Sequence, residues 1–373
     1  MEYVFPPTKV IFGEGSLENL KDVVEKYEGK VMLFTGRKSM RKLGFLDKVT
    51  EMLKDRDIVL FDRVSSGPTT NIIEEAVKIA KDEDISVIIG MGGGSVIDTA
   101  KCTASMVKNL EEGKEIREYF DDEKKVIRES VPFIAIPTTS GTGAEVTRWA
   151  VVWDGKKKHT ISGLKMYAKV AIVDPKLTYS LPRRQTASSG MDALSQGIES
   201  YWSRNHNPIS DIFAIRTIEL VFRHLEGACN NPENTEHRRG MSLAALFSGL
   251  AINGTKTTVC HSLSYPMTAY FGIPHGHACG LTIPSFMLYN SKMEAARIKR
   301  IVEAIGEKTI EDGAEKVREL MEKIGLETKL RKLGIDERGI NIIVKNGFTR
   351  DRIEHNPRSI TPHDIKQILM RLL

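Results

Sequence analysis

The chain lacks what would mark a disulfide-stapled or membrane-spanning protein. Its four cysteines, Cys102, Cys229, Cys260 and Cys279, form no close pair, which argues against a disulfide framework and suits free thiols in a reducing cytoplasm. Long apolar runs are missing too. The longest, "SLAALFSGLAI", is too short to span a bilayer and carries serine and glycine. The opening residues "MEYVFPPTKV" have neither a basic segment nor an apolar core, so a cytoplasmic rather than a secreted protein is expected. No block of Lys/Arg with interleaved aromatics occurs, and the net charge of +5 is spread over 54 basic and 49 acidic residues. That argues against nucleic acid as a partner. The short runs "GKKKH" and "EHRRG" read as solvated loops or helix faces. Glutamine occurs only at Gln185, Gln196 and Gln367 while Lys, Arg and Glu abound, a bias that points to a thermophile. No low-complexity tract or internal repeat is present.

What is there is enough chain for two domains: 373 residues exceed the roughly 250–300 at which a single core stops growing. The first half alternates β-branched runs with amphipathic stretches. "VMLFTG" (31–36), "DIVLFD" (57–62), "ISVIIG" (85–90), "PFIAIPT" (132–138) and "VAIVDP" (170–175) read as buried strands bounded by Gly, Pro or Asp. "TNIIEEAVKIAKDE" and "SVIDTAKCTASMVKN" between them read as helices. Such alternation predicts a mostly parallel sheet covered on both faces. From about residue 188 strand runs give way to helical patterns, such as "ISDIFAIRTIELVFRHLEG" and "MEAARIKRIVEAIGE", punctuated by prolines. The expected division is an α/β domain over 1–181 and an all-helical domain over 182–373.

Two loops in the α/β half carry chemistry. In "ISVIIGMGGGSVIDTAK" three glycines and a serine join a buried strand to a helix. Glycines let backbone N–H groups approach a pyrophosphate, and the helix N-terminus adds partial positive charge. The pattern is not GxGxxG, and alone it also describes an ordinary tight connection. The second loop, "IPTTSGTGAEVT", offers the hydroxyls of Thr138, Thr139, Ser140 and Thr142. Two such loops at strand C-termini of one sheet match where open α/β folds bind ligands. A nucleotide is the better reading.

Six ordered segments carry a resemblance: "PTKVIFGEGSLENL", "GGGSVIDTAK", "PTTSGTGAEVT", "AIVDPKLTYSLP", "GMDALSQGIES" and "IPHGHACGLTIP". In them the chain resembles the iron-containing (group III) alcohol dehydrogenases over essentially its whole length. The resemblance implies a Rossmann-like dinucleotide-binding α/β domain and an all-α metal-binding domain, the dehydroquinate synthase-like fold, with hydride transfer in a cleft between them. It implies that Gly92, Gly93, Gly94 and Ser95 hold the cofactor pyrophosphate, and that Asp98, Thr138, Thr139, Thr147 and Lys158 line the nucleotide. Members preferring NAD often carry an aspartate after the second strand. Here "FTGRKS" places Gly36 in that slot, with Arg37, Lys38 and Ser39 after it. A 2′-phosphate would meet cations and no carboxylate, so NADP(H) is expected over NAD(H).

The family's divalent metal, iron(II) or zinc, is held by an Asp and a His on a "DALxH" helix and by two further histidines. Asp192, His261 and His275 match; Gln196 departs. An amide oxygen is a weaker ligand than imidazole, which leaves open a loose site, another metal, coordination through a water, or a metal-free relative. Tyr265 and His277 are the candidates for relaying a proton. The resemblance is nearest to phosphonoacetaldehyde reductases and to propanediol- and butanol-type dehydrogenases. For an anionic substrate end the candidates are Arg148 and Lys256. The implied function is metal-dependent hydride transfer between NAD(P) and a small alcohol or aldehyde, in a homo-oligomer expected to be a dimer. A dehydroquinate synthase-like lyase and a catalytically altered nucleotide-binding relative are the alternatives.

Overall fold

The computed structural model describes residues 3–126 and 128–373. It divides into two compact units, one of Phe5–Thr139 and Ala144–Ser180, the other of Leu181–Leu373 with the stretches ending at Val4 and spanning Ser140–Gly143.

In the α/β unit six strands form one sheet: β1 (Lys9–Phe12), β2 (Lys30–Gly36), β3 (Ile58–Val64), β4 (Ile85–Gly92), β5 (Phe133–Pro137) and β8 (Val170–Val173). Their order is β1-β8-β5-β4-β2-β3, and every pairing is parallel. The strands are Val- and Ile-rich because helices cover them: α1 (Leu20–Val24), α2 (Ser39–Lys42), α3 (Phe45–Met52), α4 (Thr70–Asp82) and α5 (Gly94–Asn109). Separate apolar clusters fill the two faces. From β2 the chain steps outward to β3, whereas from β4 it steps the other way to β5. The order therefore reverses between β2 and β4, and the loops after both strands open on the same sheet edge. Open α/β folds bind ligands at that reversal.

Three strands lie outside the sequence reading. The edge strand β1 is only four residues long and half exposed, so it gives no apolar run to detect. The hairpin of β6 (Trp149–Asp154) and β7 (Lys157–Ser162) is antiparallel and separate from the main sheet. Its turn is Gly155–Lys156, with Gly155 at φ +59°, as a two-residue hairpin loop after Asp154 requires. "GKKKH" is thus not a loop: Lys157, Lys158 and His159 belong to β7. The three consecutive lysines conceal a hairpin loop with glycine at its first position.

The helical unit contains α6 (Arg183–Trp202), α7 (Pro208–Asn230), α8 (Thr235–Thr255), α9 (Val259–Phe271), α10 (His275–Ala304), α11 (Ile310–Lys323), α12 (Glu337–Asn346), α13 (Arg350–Ile353) and α14 (Pro362–Met370). They share one large apolar core. α6 is buried almost throughout, and its Ala, Ser and Gly content lets neighbours approach from all sides. Prolines punctuate less than their positions suggest. Pro208 starts α7, but Pro266 and Pro284 sit inside α9 and α10, where packing carries the helix past a missing N–H. No helix among the described residues is long and apolar enough to cross a membrane.

Candidate metal and nucleotide sites

Three helices of the second unit converge on one cluster. Asp192 lies midway along α6, His261 in the first turn of α9, and His275 is the first residue of α10. Gly276 makes the convergence possible: a Cβ there would stand 1.9 Å from the Ser188 carbonyl oxygen and 2.8 Å from the Asp192 Cβ. Only glycine lets the start of α10 come this close to α6. Asp192 Oδ1 is then 3.3 Å from His261 Nε2 and 3.8 Å from His275 Nε2.

A fourth donor was not among the residues read from the sequence. Cys279 joins Asp192, His261 and His275, and their ligand atoms all lie within 4.8 Å of one another. Its Sγ is 3.9 Å from His275 Nε2. The signal was legible in "HGHAC", since residues four apart on a helix share a face.

Glu199 orients the cluster. It is fully buried two turns beyond Asp192 on the same face of α6. Oε1 accepts from the backbone N–H of Thr258 (3.1 Å) and Cys260 (2.8 Å) and from the Thr258 hydroxyl (2.7 Å). These are the unsatisfied donors at the start of α9. Oε2 accepts the His261 Nδ1 proton. With its proton committed to Glu199, His261 turns a bare Nε2 toward the cluster, buried and without a hydrogen-bond partner among the described residues. Metal-binding histidines are set up in this way, with the far nitrogen held by a carboxylate. The cluster calls for positive charge. An orphaned imidazole nitrogen, a carboxylate, a second imidazole and a thiol fit a divalent cation.

Other expected residues fall in different roles. Gln196, 5% exposed, accepts at Oε1 from the Ser248 hydroxyl at 2.8 Å. His277 does not join the cluster. Two residues past His275 it faces another way round α10, and its Nε2–H donates to the Glu327 carbonyl at 2.7 Å. Burial also lowers its pKa. The ring of Tyr265 stacks beside His275 with centroids 6.1 Å apart. Lys256 is exposed at the end of α8 with φ +60° and ψ 175°. That conformation is nearly confined to glycine and costs a lysine about 1–3 kcal/mol. Arg352, unremarked in the sequence, has a side chain only 14% exposed, 3.9 Å from Asp351, and bonds the Tyr265 side chain.

The nucleotide candidates lie in the α/β unit. Gly92 closes β4, Gly93 caps α5, and Gly94 and Ser95 open it, so a 16-residue helix presents its N-terminus behind the loop. A Cβ on Gly93 would stand 3.2 Å from the Thr139 side chain. Ser95 Oγ accepts from Gly67 N–H at 3.1 Å, and Thr138 N–H bonds the Gly92 carbonyl at 2.9 Å. Gly36 ends β2 across the reversal, and Arg37, Lys38 and Ser39 after it are exposed. Arg148 precedes β6 and is half-buried.

Asp98 and Thr147 take part in a buried network. Asp98 Oδ2 accepts from the Val151 N–H at 3.1 Å. Lys101, fully buried, donates to the carbonyls of Ala144 (2.6 Å), Thr147 (2.8 Å) and Trp149 (2.8 Å) and to Thr147 Oγ1 (3.0 Å). Burial, against the pull of Asp98 and Glu145, lowers the Lys101 pKa to about 8. Burial likewise raises Asp98, against Lys101, the Val151 N–H and Lys158 on β7. Of the "TTSGTG" loop, Ser140 belongs to the helical unit, its hydroxyl 3.2 Å from that of Ser242.

Comparison with known proteins agrees with this geometry. The profile of the iron-containing alcohol dehydrogenase family matches residues 7–175, and that of the C-terminal domain of the Fe-containing alcohol dehydrogenases matches 186–373. The NADPH-dependent butanol dehydrogenase of Clostridium saccharobutylicum is 32% identical over 97% of this chain and 95% of its own. The crystal structure of sulfoacetaldehyde reductase from Bifidobacterium kashiwanohense in complex with NAD+ is similar at 34% identity, TM-score 0.91, covering 100% of this chain and 99% of that one. A 1,3-propanediol oxidoreductase structure matches at 28% identity and TM-score 0.92, covering 100% and 99%. These relatives are oxidoreductases, which sets the lyase alternative aside. A parallel sheet with glycine loops at its reversal, a helical unit with a buried donor cluster, and two family profiles in sequence place this chain in the iron-containing alcohol dehydrogenase family, as an NAD(P)-linked oxidoreductase.

Proposed function

We propose that the protein reduces short aldehydes carrying an anionic group, phosphonoacetaldehyde among them, and oxidises the matching alcohols, using NADP(H) and iron(II) or zinc. The observation that carries the reading is the buried Asp192–His261–His275 set with a bare His261 Nε2 at its centre. A divalent cation held there supplies Lewis acidity to a carbonyl or alcohol oxygen, and the nicotinamide supplies or takes the hydride.

The chain's own residues do the positioning. Glu199 fixes the His261 tautomer, and Ser264, 3.1 Å from His275 Nδ1, steadies the second ring. Tyr265 beside His275 is the proposed proton relay, now without His277. Gly92, Gly93, Gly94 and Ser95 cradle the pyrophosphate, with Thr138, Thr139 and Lys158 nearby, and Arg37, Lys38 and Ser39 read the 2′-phosphate. The named relatives use either nucleotide: the butanol dehydrogenase is NADPH-dependent and the sulfoacetaldehyde reductase was crystallised with NAD+. The exposed cations beside Gly36 favour NADP(H) here. For the anionic end, the strained Lys256 and the half-buried Arg148 are the proposed contacts. Arg352, beside Tyr265, supports an anion in the helical unit.

The test is nicotinamide absorbance with butanal, phosphonoacetaldehyde and sulfoacetaldehyde, on metal-loaded and chelator-stripped protein. NADPH should exceed NADH several-fold in kcat/KM. Lys256→Ala and Arg148→Ala should raise KM for the anionic aldehydes far more than for butanal. Full rates on stripped protein, or no response to any aldehyde, would sink the reading.

A further inference from the structure

The metal site proposed above has three donors that match the family and a fourth slot filled by Gln196. Two observations bear on what completes it. The amide oxygen of Gln196 is engaged by Ser248 at 2.8 Å. Cys279, by contrast, is fully buried with its sulfur among the other donors. A buried cysteine is ordinarily a small hydrophobe. Cys229 and Cys260 behave so, packing into the apolar core of the helical unit, a cluster that does not include Cys279.

The distances discriminate further. Zinc bonds of about 2.0–2.1 Å to N or O and 2.3 Å to S, arranged tetrahedrally, separate ligand atoms by roughly 3.3–3.6 Å. The observed edges are 3.3 Å from Asp192 Oδ1 to His261 Nε2, 3.8 Å from Asp192 Oδ1 to His275 Nε2, and 3.9 Å from Cys279 Sγ to His275 Nε2. Small rotamer adjustments bring these onto one ion. The bare, buried His261 Nε2 points independently to a ligand at the same place.

We propose that Cys279 is a thiolate ligand of the divalent metal, replacing the imidazole that Gln196 does not supply, so that the donor set is Asp192, His261, His275 and Cys279. The inference rests on the metal-dependent reading above and refines it. On loading, the thiol S–H bond breaks, a sulfur–metal bond forms, and the proton leaves to solvent; no electrons are transferred. A thiolate shifts the site from iron(II) toward zinc, because soft sulfur suits the latter. Four protein donors would fill a tetrahedral ion, so a substrate oxygen would reach it by expanding the site to five-coordinate. His275, whose side chain is the most exposed of the three family donors at 31%, marks the side from which it is reached.

The full chain, stripped with chelator and loaded anaerobically with Co(II), provides the test. Wild type should show the intense near-ultraviolet sulfur-to-cobalt charge-transfer band of a thiolate ligand. Cys279→Ser should lose that band and bind Co(II) and Zn(II) more weakly by at least the roughly 10–100-fold that loss of an outer-sphere partner already costs. Gln196→His in the Cys279→Ser background should restore affinity without restoring the band. Co(II) bound to wild type with no sulfur band overturns the proposal while leaving the metal-dependent dehydrogenase standing, and this holds even if Cys279→Ser does not fold. A band that persists in Cys279→Ser also overturns it. Failure of wild type to bind any divalent metal, with full activity, overturns both.

Discussion

Replacing Glu199 by glutamine should weaken metal binding while leaving the fold intact, and the structure says by how much. Glu199 Oε1 carries four donors: the N–H groups of Thr258, Cys260 and His261 and the Thr258 hydroxyl, at 2.7–3.4 Å. Glutamine keeps that oxygen, so the start of α9 stays capped. The other oxygen, which accepts the His261 Nδ1 proton, becomes an NH2 group that can only donate. His261 must then move its proton to Nε2, the nitrogen it turns toward Asp192 at 3.3 Å, or lose its support altogether. Either way the ligating lone pair is compromised. The expected loss is about 10–100-fold in metal affinity, or roughly 1.4–2.7 kcal/mol. Alanine instead would strand buried donors and destabilise the whole helical unit, which is why glutamine is the informative change. The assay is competition for Zn(II) against a chromophoric chelator, with far-ultraviolet circular dichroism and thermal unfolding as controls. Wild-type affinity in Glu199→Gln, with the fold unchanged, would refute the tautomer argument.

Three further outcomes are expected from the α/β unit. Lys101→Met removes a cation that serves four oxygens, and should cost at least the roughly 1–3 kcal/mol of a stranded buried acceptor and raise KM for the cofactor; an unchanged unfolding temperature would refute it. Gly36→Asp adds a carboxylate between the exposed cations and a 2′-phosphate, and should lower the NADPH:NADH ratio of kcat/KM at least tenfold, a charge-assisted contact contributing roughly 1.5–3 kcal/mol; an unmoved ratio would show that these residues do not read the phosphate. Glu145 is 3% exposed, and burial raises its pKa from 4.5 to about 7, against Lys101. The folded state then holds a proton that the unfolded state releases between pH 4.5 and 7, so stability falls as pH rises through that window. Glu145→Gln should remove that slope, with a total effect on the order of 3 kcal/mol; denaturant titrations at pH 5 and 7 that show the same difference in both proteins would refute it.

How much of this was legible in the sequence depended on whether a signal was local. The five strand runs occur within one or two residues of their predicted limits because β-branched runs bounded by Gly, Pro or Asp are written in consecutive residues. The change to helices at Leu181 was likewise local. What the linear reading could not supply was the excursion of Ser140–Gly143 into the helical unit. Gly143 there stands against Gly249, a Cβ on either meeting backbone of the other within 3 Å, and nothing in "TTSGTG" announces a partner 106 residues away.

The buried donor cluster shows the same division at finer grain. Asp192, His261 and His275 were found because the resemblance placed them, and the structure gathers all three. Glu199 sits in the quoted segment "GMDALSQGIES", seven residues after Asp192 and so on its face, yet a buried carboxylate announces nothing until its partner is known. That partner, His261, is 62 residues away. Cys279 and His277 are the instructive pair. Both follow His275 closely, and the histidine drew attention because its side chain is the commoner ligand and proton carrier. Helix geometry ranks them in the opposite order: a residue four places on shares the face of His275, and a residue two places on turns away from it. Residue type favours His277 and spacing favours Cys279, and it is the Cys279 sulfur that lies among the donor atoms.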